Sequence, residues 1–279
     1  MEGVQPNTGP LRAGICSVTY RSLPIQSVVN LASSSGLDRV EWIQDAHVRL
    51  DRPGQTHRIR EQTQRAGLAV AALGSYFRAG CFVEADAERR VWDQVLSTAR
   101  TLGAPRIRVW AGNQASLDAS QSGRRQVVES LRRCVSSTDI VIATEFHSGT
   151  LTDSAESARD LLDAVPGLQT YWQPPNGMPS NLALDGLRVV LDRLAALHVF
   201  SWWPTEDDRR PLAYRPAMWR SAFALAATCG HPIDALLEFV PKDEPRVLPE
   251  EASALRSLLA ADPLGGFDPT DIWASSPWM

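Results

Sequence analysis

Eight times along this chain, a short apolar or β-branched run is followed by a segment with apolar residues at helical spacing. This alternation constrains the fold more than any other feature. The runs cover residues 13–20, 38–43, 68–76, 105–112, 140–144, 168–173, 196–203 and 234–240. The segments between and after them, at about 24–35, 54–66, 84–102, 122–135, 155–165, 182–194, 216–228 and 249–261, read as helices. The run at 140–144 is typical: apolar throughout, as a strand buried on both faces must be. Eight strand-then-helix units in 279 residues predict a (β/α)8 TIM barrel of the α/β class, a fold that typically takes about 250 residues. A doubly wound sheet is the alternative. It would often bring a glycine-rich phosphate loop after the first strand, and residues 17–23 contain no GxGxxG. The expected organisation is a tail over 1–12, a barrel over 13–261 and an irregular tail over 262–279. Trp273 and Trp278 in that last tail could cover the barrel or a neighbouring copy, which leaves a homo-oligomer open.

Composition narrows the function classes. Hydrophobic residues make up 44% of the chain, enough for a sizeable core. Net charge is −4 and Lys242 is the one lysine, so no basic patch argues for nucleic acid. Cys16, Cys81, Cys134 and Cys229 are scattered without a CxxC. That suits a reducing compartment and argues against a disulfide scaffold or a thiolate zinc site. The first residues lack the apolar core of a secretory signal, and no run approaches the ~18 apolar residues of a membrane span. A cytoplasmic location with no membrane partner is expected.

In a barrel, the C-terminal ends of the strands converge on one mouth. In chain order those ends carry Tyr20, then Glu41 with Asp45 and His47, Tyr76, Arg108 with Trp110, Glu145 with His147, Gln173 with Asn176, His198 with Trp202, and Glu238. An acid beside a core needs a partner, because an unpaired buried charge is costly. Taken singly, each glutamate reads as a salt-bridge partner for one of the many arginines, and His198 as a core histidine bonded to a carbonyl. Glu41, between Val40 and Trp42, reads as half of a buried ion pair. His57 and His231 read as structural or solvated, and the charge run at 207–210 as a solvated loop. Taken together, Glu145, His198 and Glu238 form an N/O set without thiolate, suited to one divalent ion: Mn²⁺, Mg²⁺, Co²⁺ or Zn²⁺. Tyr76, Trp110, Trp172, Trp202 and Trp203 lie at or near strand ends, where aromatic faces pack on sugar C–H faces or simply on the core.

Over about residues 14–259 the chain resembles the xylose-isomerase-like barrel superfamily of sugar phosphate isomerases and epimerases. The resemblance is carried by Gly14 to Ser17 with Gly36 to Trp42, by Asp45 to Val48, by Ile107 to Gly112, by Thr144 to Thr150, by Leu197 to Phe200 and by Leu237 to Phe239. It implies a metal held by Glu145, Gln173, His198 and Glu238. Glu145 and Glu238 would act as the catalytic proton carriers in an isomerisation or epimerisation through an enediolate. His47, Tyr76, Arg108, Trp110, His147, Asn176 and Trp202 would bind a small sugar-like substrate, with His47, Arg108 and His147 orienting hydroxyls or a terminal anion and Arg108 pairing with its charge. The sequence departs from the family at strand six. Gln173 and Asn176 stand where an aspartate ligand and a histidine are usual, so one ligand brings no charge. Two alternatives stay open: a lyase or dehydratase on a keto-cyclitol or glycoside-type substrate at the same site, and a non-catalytic barrel that binds a ligand or partner.

Overall fold

The computed structural model describes residues 10–260. Eight strands, β1 Leu11–Cys16, β2 Arg39–Ile43, β3 Ala69–Arg78, β4 Arg106–Trp110, β5 Val141–Thr144, β6 Gln169–Trp172, β7 Leu194–Val199 and β8 Ile233–Leu237, close into one barrel in chain order. Every pairing is parallel, including the closure of β8 on β1. Helices α1 Ile25–Ser34, α2 Pro53–Arg65, α3 Ala85–Leu102, α4 Gln121–Ser136, α5 Ala155–Ala164, α6 Ser180–Val190, α7 Pro216–Ala227 and α8 Leu248–Ala260 alternate with the strands. The expected (β/α)8 barrel is the fold.

Boundaries shift where tertiary pairing outranks local pattern. β1 begins at Leu11, inside the expected tail, because Leu11 pairs with Ile233 of β8. The seventh strand stops at Val199 rather than 203, so Trp202 and Trp203 belong to a loop. The tails at 1–9 and 261–279, with Trp273 and Trp278, lie outside the described residues. Helix ends follow side-chain chemistry. Ser120 and Ser154 cap α4 and α5 by accepting the amides of Gly123 and Ser157. Gly103 ends α3 in the left-handed region. Among the described residues, no helix is long and apolar enough to cross a membrane.

The main core lies between barrel and helices, and its largest wholly buried side chains are Trp42, Trp172 and Trp219. The barrel interior is different. Small residues such as Ala72, Ala143 and Ala196 line it, and the space they leave is filled by buried ionic side chains. At the N-terminal end, Asp234 of β8 accepts from Arg12 of β1 at 2.8 Å, lies 3.2 Å from Arg39 of β2 and accepts from Arg106 of β4 at 3.2 Å. One acid thus ties four strands together at the barrel's closing seam. Further ionic groups face the C-terminal end.

Candidate active site

Two acids stand one residue past their strands, and their backbones still belong to the ladder. The Glu145 amide donates to Val109 O at 3.0 Å, and the Glu238 amide to Val199 O at 3.0 Å. These bonds fix the direction of both carboxylates. Thr152 Oγ1 also donates to Glu145 O. After Glu238 the chain turns sharply: Phe239 has φ 51°, a conformation costly for a bulky residue.

His198, on β7, is wholly buried beneath the floor of the mouth. Its Nδ1 lies 3.0 Å from Gln173 Oε1, 3.4 Å from Glu238 Oε2 and 3.8 Å from Glu145 Oε1. One donor atom each from Glu145, His198 and Glu238 falls within 4.8 Å of the others. Donors sharing a cation at bonds of about 2.1 Å sit roughly 3.0–3.5 Å apart. The spacings around Nδ1 meet that to within a few tenths of an ångström, and Gln173 supplies a fourth oxygen. The residues present therefore fit a divalent ion that replaces the proton His198 Nδ1 donates to Gln173 Oε1.

Beneath this set runs an ionic ring. Arg108 Nε donates to Glu41 Oε1 at 2.9 Å, and Arg108 Nη1 donates to Glu145 Oε2. Glu41 Oε1 lies 3.7 Å from His198 Nε2, beyond a hydrogen bond but within ion-pair reach. Gly74 of β3 makes the room. A Cβ there would meet Arg108 Nη2 and Glu41 Oε1, each at 2.8 Å. The buried-ion-pair reading of Glu41 is what the structure has, and that pair reaches two of the candidate metal ligands.

The electrostatics of the ring are lopsided. Three carboxylates, Glu41, Glu145 and Glu238, face one guanidinium. Burial would raise the Glu41 carboxyl, but Arg108 and His198 overcome it and bring it down to about 2. Glu238 lacks a direct guanidinium partner. Burial, aided by Glu145, raises it to about 7 against the pull of His198 and Arg108. Burial would lower His198, yet Glu238 and then Glu41 raise it to about 8. Protons thus collect where positive charge is short. A second group, Cys16 with Glu41 and His198 Nε2, is a weaker cation site. Burial and the surrounding carboxylates push the Cys16 thiol up, and Arg108 already occupies Glu41.

Above the floor opens a cavity of about 510 Å³. Tyr76, Arg108, Trp110, Glu145, His147, Gln173, Asn176, Trp202 and Glu238 all line it, whereas Tyr20, Glu41, Asp45, His47 and His198 from the same list of strand ends do not. The Trp110 and His147 rings lie 4.3 Å apart, tilted by 30°. His147 Nδ1 lies 2.6 Å from Ser148 O. A carbonyl only accepts, so Nδ1 carries the proton and Nε2 is left as an acceptor.

Three expectations need correcting. His47 does not line the cavity. Asp45 takes φ 68° and folds the chain back, and the His47 ring is buried on Trp42, 3.1 Å from Ser17 Oγ and 3.1 Å from Leu23 O. It braces the β1–α1 loop. Arg108 is not a free anion binder, since two of its nitrogens are taken by Glu41 and Glu145. Arg209, in the run expected to be solvated, folds inward to Asp243 and sits 4.7 Å from the Trp202 ring centroid. Sequence reasoning also missed Arg21, Glu206 and Phe239 on the walls. Arg21 immediately follows Tyr20, which was on the list of strand ends, so position along the first unit was the signal available.

Similarity to known proteins agrees with this architecture. The probable 3-DHS dehydratase AsbF of Bacillus anthracis superposes with TM-score 0.71 at 16% identity, covering 88% of this chain and 98% of that one. A D-psicose 3-epimerase gives TM-score 0.64 at 12% identity, over 90% and 100% of the two chains. A xylose isomerase-like TIM barrel protein of Mycobacterium smegmatis, solved in complex with magnesium, gives 0.63 at 15%, over 92% and 100%. No curated protein sequence gives a significant match. The profile of the xylose isomerase-like TIM barrel family matches residues 29–244, most of the barrel, and the chain belongs to that family.

Proposed function

We propose that this protein is a divalent-metal-dependent isomerase or epimerase of a small polyhydroxy carbonyl compound. The observation that carries the reading is the convergence of Glu145, His198 Nδ1 and Glu238, with Gln173 alongside, at the floor of the cavity. Those four residues would hold the ion, and a bound divalent cation supplies Lewis acidity toward a substrate carbonyl oxygen. The protein's own part follows from the inequality of its two acids. Glu145 is tied to Arg108. Glu238, which has no guanidinium partner among the described residues and lines the cavity, is placed to take a proton from carbon next to a carbonyl. Return of that proton to the neighbouring carbon would be isomerisation, whereas epimerisation would need a proton delivered to the opposite face of the same carbon by the second acid, Glu145. Trp110, Tyr76 and Trp202 would cover the apolar faces of the substrate, and Asn176 would bond its hydroxyls.

The test is metal analysis after growth with Mn²⁺, then a screen of ketoses and inososes in D₂O by NMR. The expected result is a bound ion and solvent deuterium at a carbon next to the carbonyl. Metal-free protein together with unaltered activity in Glu238→Gln would sink the reading. A lyase or dehydratase reading has one observation of its own. His147 offers a further proton acceptor, Nε2, on the same cavity, and AsbF among the neighbours is named a probable dehydratase. Product mass separates the two, because dehydration loses water.

A further inference from the structure

We infer that Arg21 binds an anionic group, carboxylate or phosphate, at the far end of the substrate, in a second lobe of the mouth. This rests on the sugar reading above and adds a substrate class to it. A cavity of about 550 Å³ adjoins the first, and Val18, Arg21, Trp202 and Phe239 line both. Three guanidiniums line the two lobes. Arg108 is committed to Glu41 and Glu145, and Arg209 to Asp243 and Val240 O. Arg21 is exposed, and among the described residues it has neither an ion pair nor a side-chain hydrogen bond. It is the cation of this mouth that remains available to a ligand.

The backbone carrying Arg21 is fixed relative to the acids. It follows a 3-10 turn, Ser17–Tyr20. Ser17 Oγ accepts the Ile43 amide at 2.9 Å, and Leu23 O accepts from His47 Nε2 at 3.1 Å. Thr19 Oγ1 accepts the amide of Phe239 at 3.0 Å, and Phe239 directly follows Glu238. The distance from Arg21 to the reacting end is therefore set by short bonds, and only the arginine side chain is left to adjust.

Charge then dictates orientation. On the floor the one guanidinium is spent on Glu41 and Glu145, so an anionic tail finds no free guanidinium there and is drawn to Arg21 at the rim. The carbonyl end of the same molecule faces Glu145 and Glu238. Trp202 and Phe239, on the shared wall, give the carbon chain between the two ends an apolar surface. Guanidinium pairs bidentately with either carboxylate or phosphate, so the two sources must be separated by experiment.

The experiment is calorimetric titration of the full chain, with Mn²⁺ present, using three probes matched except at carbon six: D-fructose, D-fructose 6-phosphate and D-fructuronate. At least one anionic probe is expected to bind about tenfold or more tighter than D-fructose, the worth of a charge-assisted pair. The arm that gains names the anion. Arg21→Gln brings the ratio to about one, and Arg21→Lys keeps part of it. Matching thermal unfolding of both variants and wild type shows that the fold is intact. A ratio of about one in the wild type, or a preference that survives Arg21→Gln, overturns the inference alone. Binding of none of the three probes by the wild type overturns the sugar reading and this inference with it.

Discussion

The two ends of the barrel hold opposite ionic arrangements. At the N-terminal end one acid, Asp234, meets three guanidiniums, and both of its oxygens are engaged. At the C-terminal end three acids, Glu41, Glu145 and Glu238, share one guanidinium and one imidazole. The acids of both clusters are buried and stand on, or one residue past, strands of the same sheet, so burial of the acids does not tell the clusters apart. Saturation does. Where every acid oxygen has a cation, the cluster is a clamp. Where cations run short, the cluster has capacity to take up protons, an ion or a ligand.

That contrast can be broken by removing an acid from each end. Asp234→Ala leaves Arg106, nearly buried, and its two neighbours without a counter-ion. It should cost about 3–5 kcal/mol in urea unfolding, and a loss under 1 kcal/mol would show that the clamp is ornamental. Glu238→Gln should do the reverse. The metal-free protein should be no less stable, because a buried charge is gone. Deuterium exchange into the substrate should fall about 10²–10⁴-fold, the usual worth of a proton carrier.

Stability against pH sharpens the same contrast. Glu238 at about 7 and His198 at about 8 both lie above their ordinary values of 4.5 and 6.5, so the folded state holds these protons more tightly. Their contribution is fully present below pH 4.5 for Glu238 and below 6.5 for His198. It is lost as pH rises through 7 and 8. Metal-free stability should therefore fall by roughly 2–3 kcal/mol from pH 5 to pH 8.5, less than the simple sum because the two groups are coupled. Glu41, held at about 2, has the opposite sign and matters only as pH falls below 4.5. Added Mn²⁺ should raise the melting temperature more at pH 8 than at pH 5.5, and a flat profile in both states would remove the shortage of cations from the account. The smallest expected effect is at Glu41→Gln. Loosening the support of His198 and Arg108 should weaken Mn²⁺ binding about 10–100-fold in a chelator competition, and unchanged affinity would make the ring a bystander.

The fold was legible because the alternation of buried strand and amphipathic helix is a local pattern repeated eight times. Glu145, His198 and Glu238 were legible as candidates because they stand at strand ends. What one side chain meets across the barrel was not legible. Arg108 pairs with Glu41, 67 positions away, through a register that no local window contains. His47 was misplaced because one left-handed residue, Asp45, turned the chain back. Arg209 was taken for a solvated charge because its partner Asp243 lies on a different loop. In each case the type of residue was informative, and its partner was settled by contacts distant in sequence.

Gly74 bears on how such a mouth can change over generations. The space of one missing methyl is shared by the heads of Arg108 and Glu41. Any side chain at 74 collides with the pair. Losing Arg108 takes the guanidinium from both Glu41 and Glu145, and losing Glu41 leaves Arg108 to Glu145 alone. The three positions are thus coupled: an exchange at one changes what the other two must accommodate. Glycine at 74 is a record of the ion pair, written on a strand that carries neither of its charges.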